Sequence, residues 1–325
     1  MKTRSKTKVI LPLQVAFFVA FLGGFEVRGQ SSEDSAPEKK PITIVFYNVK
    51  NYLGMDRRID GEVVEGAGKP ESEIEALVGA ILEMKPDILG LCEIGDSPHL
   101  DDLQSRLKSA GIDLPHRELV ADSGGYDRNL ALLSSFPIVA TASRDDYTYS
   151  IPSGTPPHET TTLAFQRGVL DATIRVTPTY HLRYIGLHLK SKREVPEADQ
   201  ALMRLNEARL ARQHIDRIFE AEPGVNLLVM GDFNDLRIEP PVKALQGGFG
   251  RRGFLSSLTL SDSMGFRWTH HWSYADSYSR FDYTLYSEGI SSEIQRDQSF
   301  IFHWDDWDKA SDHRALVVRV VPEDR

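Results

Sequence analysis

The chain has 325 residues, of which 41% are hydrophobic and 26% are charged, and its formal net charge is −9. This is the composition of an ordinary globular protein with a large core, and the acidic charge excludes binding of polyanions by bulk electrostatics. Cys92 is the only cysteine, which excludes a disulfide framework and a thiolate-based metal site.

The amino terminus has the layout of a secretory signal peptide. Four basic residues precede the apolar stretch from Val9 to Phe25, and the small residue Gly29 follows it. We therefore expect residues 1–29 to be cleaved during export to the periplasm or the extracellular space; an uncleaved anchor is the alternative. Cleavage would remove five basic residues and one acidic residue, which changes the net charge from −9 to −13. After cleavage we expect no stable membrane insertion, and we expect residues 30–40 to form a disordered linker.

From residue 41 to residue 325, predicted strands and helices alternate, which indicates one large α/β domain. The apolar runs that predict strands are, in chain order, Thr43–Tyr47, Ile88–Cys92, Leu130–Ser135, Gly168–Val176, Leu182–Leu187, Asn226–Met230, Phe281–Tyr286 and Leu316–Val320. Helices are predicted from the capping box Ser72-Glu73-Ile74-Glu75 to Pro86, around Leu100–Leu107 with Gly111 as the stop, and over about Pro196–Phe219. The stretch Thr141–Thr162 is rich in Ser, Thr and Pro and is predicted to be a long surface loop.

Polar side chains recur at the ends of these strands. They are Asn48, Glu93, His188, Asp232 with Asn234, Asp282, and Asp312 with His313. Each alone could be a turn residue, a solvated charge or a surface histidine. Because sheets present ligand-facing groups at the carboxyl ends of their strands, the set together predicts an active site along one sheet system.

Short motifs around these residues carry a family resemblance. The motifs are Tyr47-Asn48-Val49, Leu91-Cys92-Glu93, Gly186-Leu187-His188-Leu189-Lys190, Gly231-Asp232-Phe233-Asn234, Arg280-Phe281-Asp282-Tyr283 and Ser311-Asp312-His313-Arg314. As an ordered set they resemble the endonuclease/exonuclease/phosphatase superfamily, which includes deoxyribonucleases, abasic-site endonucleases, bacterial sphingomyelinases and inositol polyphosphate 5-phosphatases. The resemblance covers Ile42 to Val321. It implies a four-layer α/β/β/α sandwich of two stacked mixed β-sheets flanked by helices, and a metal-dependent hydrolase acting on phosphoric ester bonds.

The resemblance also implies a metal site made of oxygen ligands. Mg²⁺ prefers carboxylate and water oxygens, so Glu93 is the expected ligand, with Asn48 and Asp312 nearby. Mn²⁺ and Ca²⁺ are alternatives.

The catalytic roles follow from the same resemblance. Phosphodiester hydrolysis needs a nucleophilic water, charge neutralisation on the phosphate and help for the leaving oxygen. Asp232 would be the general base for the water, and Asn234 would orient the water or the phosphate. His313 would bind the scissile phosphate, held in its protonated form by a hydrogen bond to Asp282. His188 would contact the opposite side of the phosphate.

Three further residues are assigned on weaker grounds. Lys50 stands where abasic-site endonucleases carry an acid, and it resembles the phosphate-facing basic residue of deoxyribonucleases. Lys190 begins a basic stretch that could either form a rim around the phosphate site or lie in a solvated loop. Asp127 is expected to pair with His188, or to be a turn residue.

Several substrates remain open at this stage. A nuclease-like phosphodiesterase is the leading interpretation, and a sphingomyelinase or other lipid or small-molecule phosphoesterase is the alternative. A non-catalytic binding protein is the alternative from another class. The expected partner is a phosphodiester substrate, with nucleic acid among the candidates, and no obligate protein partner is evident.

Aromatic residues could distinguish these substrates. Phe300–Trp304 is a candidate for the membrane-binding hairpin of a sphingomyelinase, although a segment packed beside the site is the alternative. Some other aromatic side chains could stack on a base or a sugar, or could pack in the core. They are Trp268, Trp272, Tyr274 and Tyr278.

Overall fold

Two six-stranded β-sheets form the centre of the fold in the computed structural model, which describes residues 40–153 and 159–323. The expected signal peptide and residues 30–39 of the expected linker lie outside the described residues. The strands are β1 (Ile42–Tyr52), β2 (Met55–Ile59), β3 (Glu62–Ala67), β4 (Ile88–Ile94), β5 (His116–Val120), β6 (Asn129–Ser134), β7 (Ile138–Thr141), β8 (Thr148–Ser153), β9 (Glu159–Ala164), β10 (Leu170–Arg175), β11 (His181–His188), β12 (Leu227–Asp232), β13 (Ser256–Ser257), β14 (His270–Trp272), β15 (Ser277–Ser279), β16 (Asp282–Tyr286), β17 (Phe300–Ile301) and β18 (Leu316–Val320). The α-helices are α1 (Glu71–Met84), α2 (Ser97–Ser109), α3 (Gln200–Ala221), α4 (Pro240–Gln246) and α5 (Trp307–Ala310).

Both sheets are mixed. The first has the strand order β17-β18-β1-β4-β6-β5, and β1 and β4 form its parallel pair. The second has the order β13-β16-β12-β11-β10-β7, and β11 and β12 form its parallel pair. The two strands of a parallel pair end at the same edge of their sheet, so each pair delivers two strand ends to one place.

Alternating side chains build the four layers. Along β1, Ile44 and Phe46 lie in the core between the two sheets, whereas Val45 and Tyr47 pack in the cluster formed with α1 and α2. A third apolar cluster, to which Val229 of β12 belongs, joins the outer face of the second sheet to α3 and α4. The architecture is therefore the predicted α/β/β/α sandwich.

The two sheets approach each other closely at Gly90. Tyr184 of β11 is buried against this residue of β4, and a Cβ atom added to Gly90 would lie 1.8 Å from the tyrosine hydroxyl oxygen. Only glycine fits at this position. The contact brings together the two strands that carry Glu93 and His188 near their carboxyl ends.

Two local predictions are wrong, although each predicted strand is present close to its expected bounds. Helix α1 begins at Glu71 after Pro70, with no side-chain cap, so Ser72 lies inside the first turn and does not form a capping box. Proline sets the start of the helix because its φ, here −56°, is already helical.

The stretch Thr141–Thr162 is the second wrong prediction, because it contains β8 and most of β9 rather than a long loop. These strands pair in an antiparallel arrangement, and Tyr149 and Ile151 pack against Met203 of α3. The threonines that suggested a loop are β-branched, and β-branched residues favour a half-buried strand.

Candidate active site

The predicted strand-end residues converge at one end of the two sheets. Asp232 lies opposite His188 on one side and opposite Asp282 on the other side in the strand register. Many of these residues line one cavity of about 520 Å³. Its lining includes Asn51, Glu93, Arg128, Arg167, His188, Lys190, Asp232, Asn234, His270, Asp312 and His313.

Asp232 is at the centre of the site. Its Oδ1 accepts a hydrogen bond from the Asn234 backbone N–H at 2.9 Å, and its Oδ2 accepts one from Asn48 Nδ2 at 3.2 Å. The Nε2 atoms of His188 and His313 each lie 3.7 Å from the same Oδ2. The residue is only 1% exposed. Burial raises the pKa of Asp232 to about 7, although the positive charge of His313 acts to lower it.

A close backbone approach explains why glycine precedes Asp232. A Cβ atom added to Gly231 would lie 2.3 Å from the Leu187 carbonyl oxygen of the neighbouring strand. Gly231 therefore lets β11 and β12 run close enough for their ends to share one site.

His313 is held by Asp282 as predicted. The His313 Nδ1 atom lies 2.8 Å from Asp282 Oδ2, and both residues are buried. Burial lowers the pKa of His313, but the carboxylates of Asp282 and Asp232 raise it to about 10. The imidazole is therefore protonated at neutral pH, with Nε2 directed towards Asp232.

Ser311 connects the first and last motifs of the chain. Its hydroxyl donates a hydrogen bond to the Asn48 carbonyl oxygen at 2.7 Å and accepts one from the His313 backbone N–H at 3.0 Å. Ser311 thereby fixes the loop that carries Asp312 and His313 to the end of β1.

Glu93 lies at the more open side of the site, and 17% of its side chain is exposed. Its Oε1 accepts a hydrogen bond from Asn48 Nδ2 at 3.4 Å, and its Oε2 accepts one from the Asn51 backbone N–H at 3.0 Å. Glu93 has a φ of 61°, an uncommon conformation for a residue with a side chain. Such conformations persist where the surrounding structure imposes them.

The turn that supplies the Asn51 N–H is supported by two cationic side chains. Lys50 and Asn51 have φ values of 47° and 53°. Arg57 donates to the Asn51 carbonyl at 2.7 Å, and Lys69 donates to the Lys50 carbonyl at 3.1 Å. The β2–β3 hairpin and the loop between β3 and α1 therefore hold the orientation of Glu93.

The donor set fits a hard divalent cation. Glu93 and Asp312 line the cavity, whereas Asn48 contacts Glu93 through Nδ2 and its Oδ1 accepts a hydrogen bond from the Lys50 backbone N–H at 3.0 Å. Carboxylate and amide oxygens are the ligands that Mg²⁺, Mn²⁺ and Ca²⁺ take. A second group, Asp232, Asp282 and His313, has ligand atoms within 4.8 Å of one another, and Asp282 Oδ1 in it is buried without a hydrogen-bond partner among the described residues.

His188 does not pair with Asp127. Asp127 is exposed and has a φ of 52°, which makes it a turn residue, and His188 Nδ1 is buried without a hydrogen-bond partner in the described chain. Burial, and then the charge of Arg167, lower the pKa of His188 well below its usual value. His188 is therefore a neutral imidazole. The buried acid of this loop is Asp122, which lies 3.8 Å from Arg167.

The structure does not support a phosphate-facing position for either of the two predicted lysines. Lys190 lines the cavity, but its ammonium donates to the Ser191 and Arg193 carbonyls at 3.1 and 2.9 Å and so binds its own loop. Lys50 is not among the cavity-lining residues.

The structure also places residues at the cavity that sequence reasoning missed. The cationic ones are Arg128 and Arg167, and His270 lies beside His313 with 4.6 Å between the ring centroids. Both arginines precede strands, without a pattern that marks them as site residues.

The aromatic residues divide into packed and exposed groups. The guanidinium carbon of Arg314 lies 3.5 Å from the ring centroid of Trp268, so Trp268 has a structural role. Trp272 and Tyr274 on the β14–β15 hairpin are 54% and 88% exposed. Trp272 also lines a second cavity of about 790 Å³ that shares Asn234 and His270 with the first.

The segment Phe300–Trp304 packs against the core formed with α1, so it is not an exposed hairpin. Within residues 40–153 and 159–323, no helix is long and apolar enough to cross a membrane.

Comparisons with known proteins agree with this geometry. The model of the Endonuclease/Exonuclease/phosphatase family matches residues 48–313. No curated protein matches the sequence. Similar solved structures include the human nocturnin catalytic domain with bound sulfate, at 18% identity and a TM-score of 0.57, covering 86% of this chain and 93% of that one. Sphingomyelinase C from Streptomyces griseocarneus has 16% identity and a TM-score of 0.56, and the match covers 86% of this chain and 99% of that one. Truncated Caenorhabditis elegans TDP2 has 17% identity and a TM-score of 0.54, and the match covers 86% of this chain and 97% of that one. At these identities the likeness shows the fold alone.

Proposed function

This chain belongs to the endonuclease/exonuclease/phosphatase family, whose members are metal-dependent hydrolases of phosphoester bonds, and we propose that it is a Mg²⁺-dependent phosphodiesterase with a nuclease-like site. One observation carries the proposal. The Asp232 carboxylate lies 3.7 Å from two imidazoles, and one of these, His313, is paired with Asp282 at 2.8 Å. This arrangement combines a base with a fixed cation for the phosphate.

Asp232 acts as the general base in this proposal. Water is the nucleophile, and its proton moves to the Asp232 carboxylate as its oxygen bonds to phosphorus. The phosphorus–oxygen bond to the leaving group then breaks, and the leaving oxygen departs as an alcohol after taking up a proton from solvent. A pKa of about 7 makes Asp232 a stronger base than an exposed aspartate.

The neighbouring side chains bind and orient the phosphate. Protonated His313 offers Nε2–H to a phosphate oxygen. The Asp282 carboxylate, which contacts Nδ1 of the same ring, stabilises the positive charge of His313 and fixes the orientation of its ring. Neutral His188 can donate one hydrogen bond from the other side. Asn234 is anchored through Nδ2 to the Leu189 carbonyl at 3.0 Å, so its position beside Asp232 is fixed.

Glu93 and Asp312 would hold the divalent cation, and Asn48 would join them with its amide turned so that Oδ1, rather than Nδ2, faces Glu93. When bound, the cation neutralises phosphate charge and polarises the attacked group. The cluster of Asp232, Asp282 and His313 is less suited to this role, because an imidazolium repels a cation and cannot be its ligand.

Replacing Glu93 with glutamine is expected to weaken metal binding. The Mg²⁺ concentration for half-maximal activity should rise by roughly tenfold or more, since even residues that only support metal ligands contribute factors of this size. The measurement is a Mg²⁺ titration of activity together with calorimetry of Mg²⁺ binding.

Glu75→Gln is the matched control, because Glu75 is exposed on α1 and should leave the titration unchanged. If Glu93→Gln titrates as the wild type does, Glu93 is not a metal ligand.

A panel of substrates tests the function itself. Supercoiled DNA, RNA, sphingomyelin vesicles and bis(4-nitrophenyl) phosphate are incubated with Mg²⁺, Mn²⁺, Ca²⁺ or chelator. We expect Mg²⁺-dependent cleavage of the chromogenic diester and of at least one nucleic acid, and none with chelator. Cleavage of sphingomyelin alone would favour the sphingomyelinase alternative, for which the exposed Trp272 and Tyr274 are the supporting observation. A complete lack of turnover would favour a binding protein.

Export is part of the proposal and rests on the first 29 residues. The basic start followed by the apolar stretch Val9–Phe25 supports it. Cell fractionation with amino-terminal sequencing of the mature protein tests it; a cytoplasmic product that retains Met1 would contradict it.

A further inference from the structure

Arg167 is a buried arginine whose guanidinium is largely without hydrogen-bond partners. It is 6% exposed, and its Nε atom has no partner among the described residues. The hydrogen bond that it does make runs from Nη1 to Gln166 Oε1 at 3.0 Å. A guanidinium carries five N–H donors, and buried donors are normally satisfied. Nε faces the Asp122 carboxylate, but no further hydrogen bond of the guanidinium lies within the described residues, so its Nη groups keep donors for an anion in the cavity that Arg167 lines.

The position of Arg167 is fixed from behind. Its Nε lies 3.8 Å from the carboxylate of Asp122, whose side chain is fully buried. The next residue, Gly168, has a φ of 66°, and a Cβ atom there would lie 2.1 Å from the Arg144 carbonyl oxygen. The turn therefore requires glycine, and the guanidinium is preorganised rather than flexible.

Arg167 lies beside the catalytic cluster and not within it. It lines the same cavity as His188 and Asp232, and its charge lowers the pKa of His188, after the larger effect of burial. In the described part of the chain no ion pair joins Arg167 to Glu93, Asp232 or Asp282, and its carboxylate partner is Asp122. None of these three carboxylates therefore pairs with Arg167.

A second arginine lines this end of the cavity. Arg128 uses Nε to donate to Asn51 Oδ1 at 2.7 Å, which holds its side chain against the irregular end of β1. Two exposed acids, Glu194 and Glu197, also line the cavity, but solvent screens exposed charges more than buried ones. The cavity volume of about 520 Å³ is in the range that holds a small-molecule ligand, and so exceeds a single phosphate group.

We propose that Arg167, supported by Arg128, forms a subsite for a second phosphate group of the substrate, adjacent to the phosphate that is hydrolysed. The inference rests on the proposed phosphodiesterase function and narrows its substrate. A polynucleotide or a nucleoside bisphosphate offers such a neighbouring phosphate. A phosphocholine headgroup offers a quaternary ammonium instead, which the two arginines would repel.

Two chromogenic esters that differ by one phosphate test the subsite. They are thymidine 5′-(4-nitrophenyl phosphate) and the same compound with a 3′-phosphate, which share their leaving group. We expect the wild type to have a kcat/KM about tenfold or more higher for the 3′-phosphorylated ester, since a hydrogen bond to a charged group strengthens binding by about that factor. In Arg167→Gln this preference should fall to about twofold or less.

Two further variants make the result interpretable. Arg175→Gln removes an exposed arginine from the far end of β10 and should keep the preference. The double variant Asp122→Asn/Arg167→Gln removes both buried charges together, so that no unpaired buried carboxylate destabilises the fold. It should lose the preference for the 3′-phosphorylated ester, as Arg167→Gln alone does.

The outcomes separate this inference from the proposed function. No preference in the wild type, or an equal loss for both esters in Arg167→Gln, would overturn the second-phosphate subsite; the equal loss would place Arg167 at the scissile phosphate. If neither ester is hydrolysed with any divalent cation, the proposed function fails. The subsite is then decided by calorimetry of thymidine 3′,5′-bisphosphate and thymidine 5′-monophosphate on the same variants. Tighter binding of the bisphosphate that depends on Arg167 would support the subsite, and equal binding would overturn it.

Discussion

Replacing Asp232 with asparagine is expected to lower kcat by about two to four orders of magnitude, the range for loss of a general base. An amide cannot accept the proton of the attacking water. The measurement is the steady-state rate on the most active substrate of the panel, at saturating metal. Asp113→Asn is the matched control, because Asp113 is exposed near the opposite end of the first sheet, where it lines a cavity with Pro41 and Pro86.

The folded structure should survive this substitution. Burial raises the pKa of Asp232 to about 7, which means that the site disfavours the charged carboxylate. A neutral amide of the same shape can still accept the hydrogen bond from the Asn234 N–H. The thermal unfolding midpoint and the Mg²⁺ isotherm should therefore stay close to those of the wild type. A purified, folded variant that retains near wild-type turnover would remove Asp232 from the mechanism.

The same residue sets the acidic limb of the pH profile. Only the deprotonated carboxylate can accept a proton, so activity should rise as the pH increases through the pKa of Asp232. In the metal-free protein this pKa is about 7, and a cation bound nearby lowers it. The acidic limb should be absent from the residual activity of Asp232→Asn.

The fold was predictable from the sequence because its strands are apolar runs with polar ends. Strand β12 shows why. Its buried residues precede Asp232 directly, and a buried strand can place a polar group only where it leaves the core. Strand β1 pairs in parallel with β4, and β11 pairs in parallel with β12. The polar ends of the two strands in each pair therefore had to meet. The pairing of Asp282 with His313 was implied by the family resemblance, and the structure confirms it.

The parts of the site that escaped prediction depend on contacts between loops. Arg167 and Asp122 lie in loops that carry no periodic pattern, and their pairing exists only after the two sheets have packed. The same applies to Arg57, whose bond to the Asn51 carbonyl supports the turn beside Glu93. Of the two alternatives for Asp127, the turn residue is right and the pairing with His188 is wrong, because position along the chain cannot show which acid of a loop faces inward.

The last prediction concerns the pairing of Asp282 with His313. In the wild type the protonated imidazole is the form that binds phosphate, so activity should fall as the pH rises through the pKa of His313, about 10. Asp282→Asn removes the largest of the effects that raise this pKa, while the opposing effect of burial remains. The pKa should fall by about one to three units, as expected for loss of an adjacent opposite charge.

The alkaline limb of the activity profile should therefore move to lower pH in Asp282→Asn, and an NMR titration of the His313 ring should follow it. Asp276→Asn is the matched control, because Asp276 pairs with His271 at 3.1 Å on the exposed β14–β15 hairpin and should leave the limb in place. A purely structural role for Asp282 would lower activity at every pH without moving the limb. That result, with an unshifted His313 titration, would show that the carboxylate does not sustain the charge of the phosphate-binding imidazole.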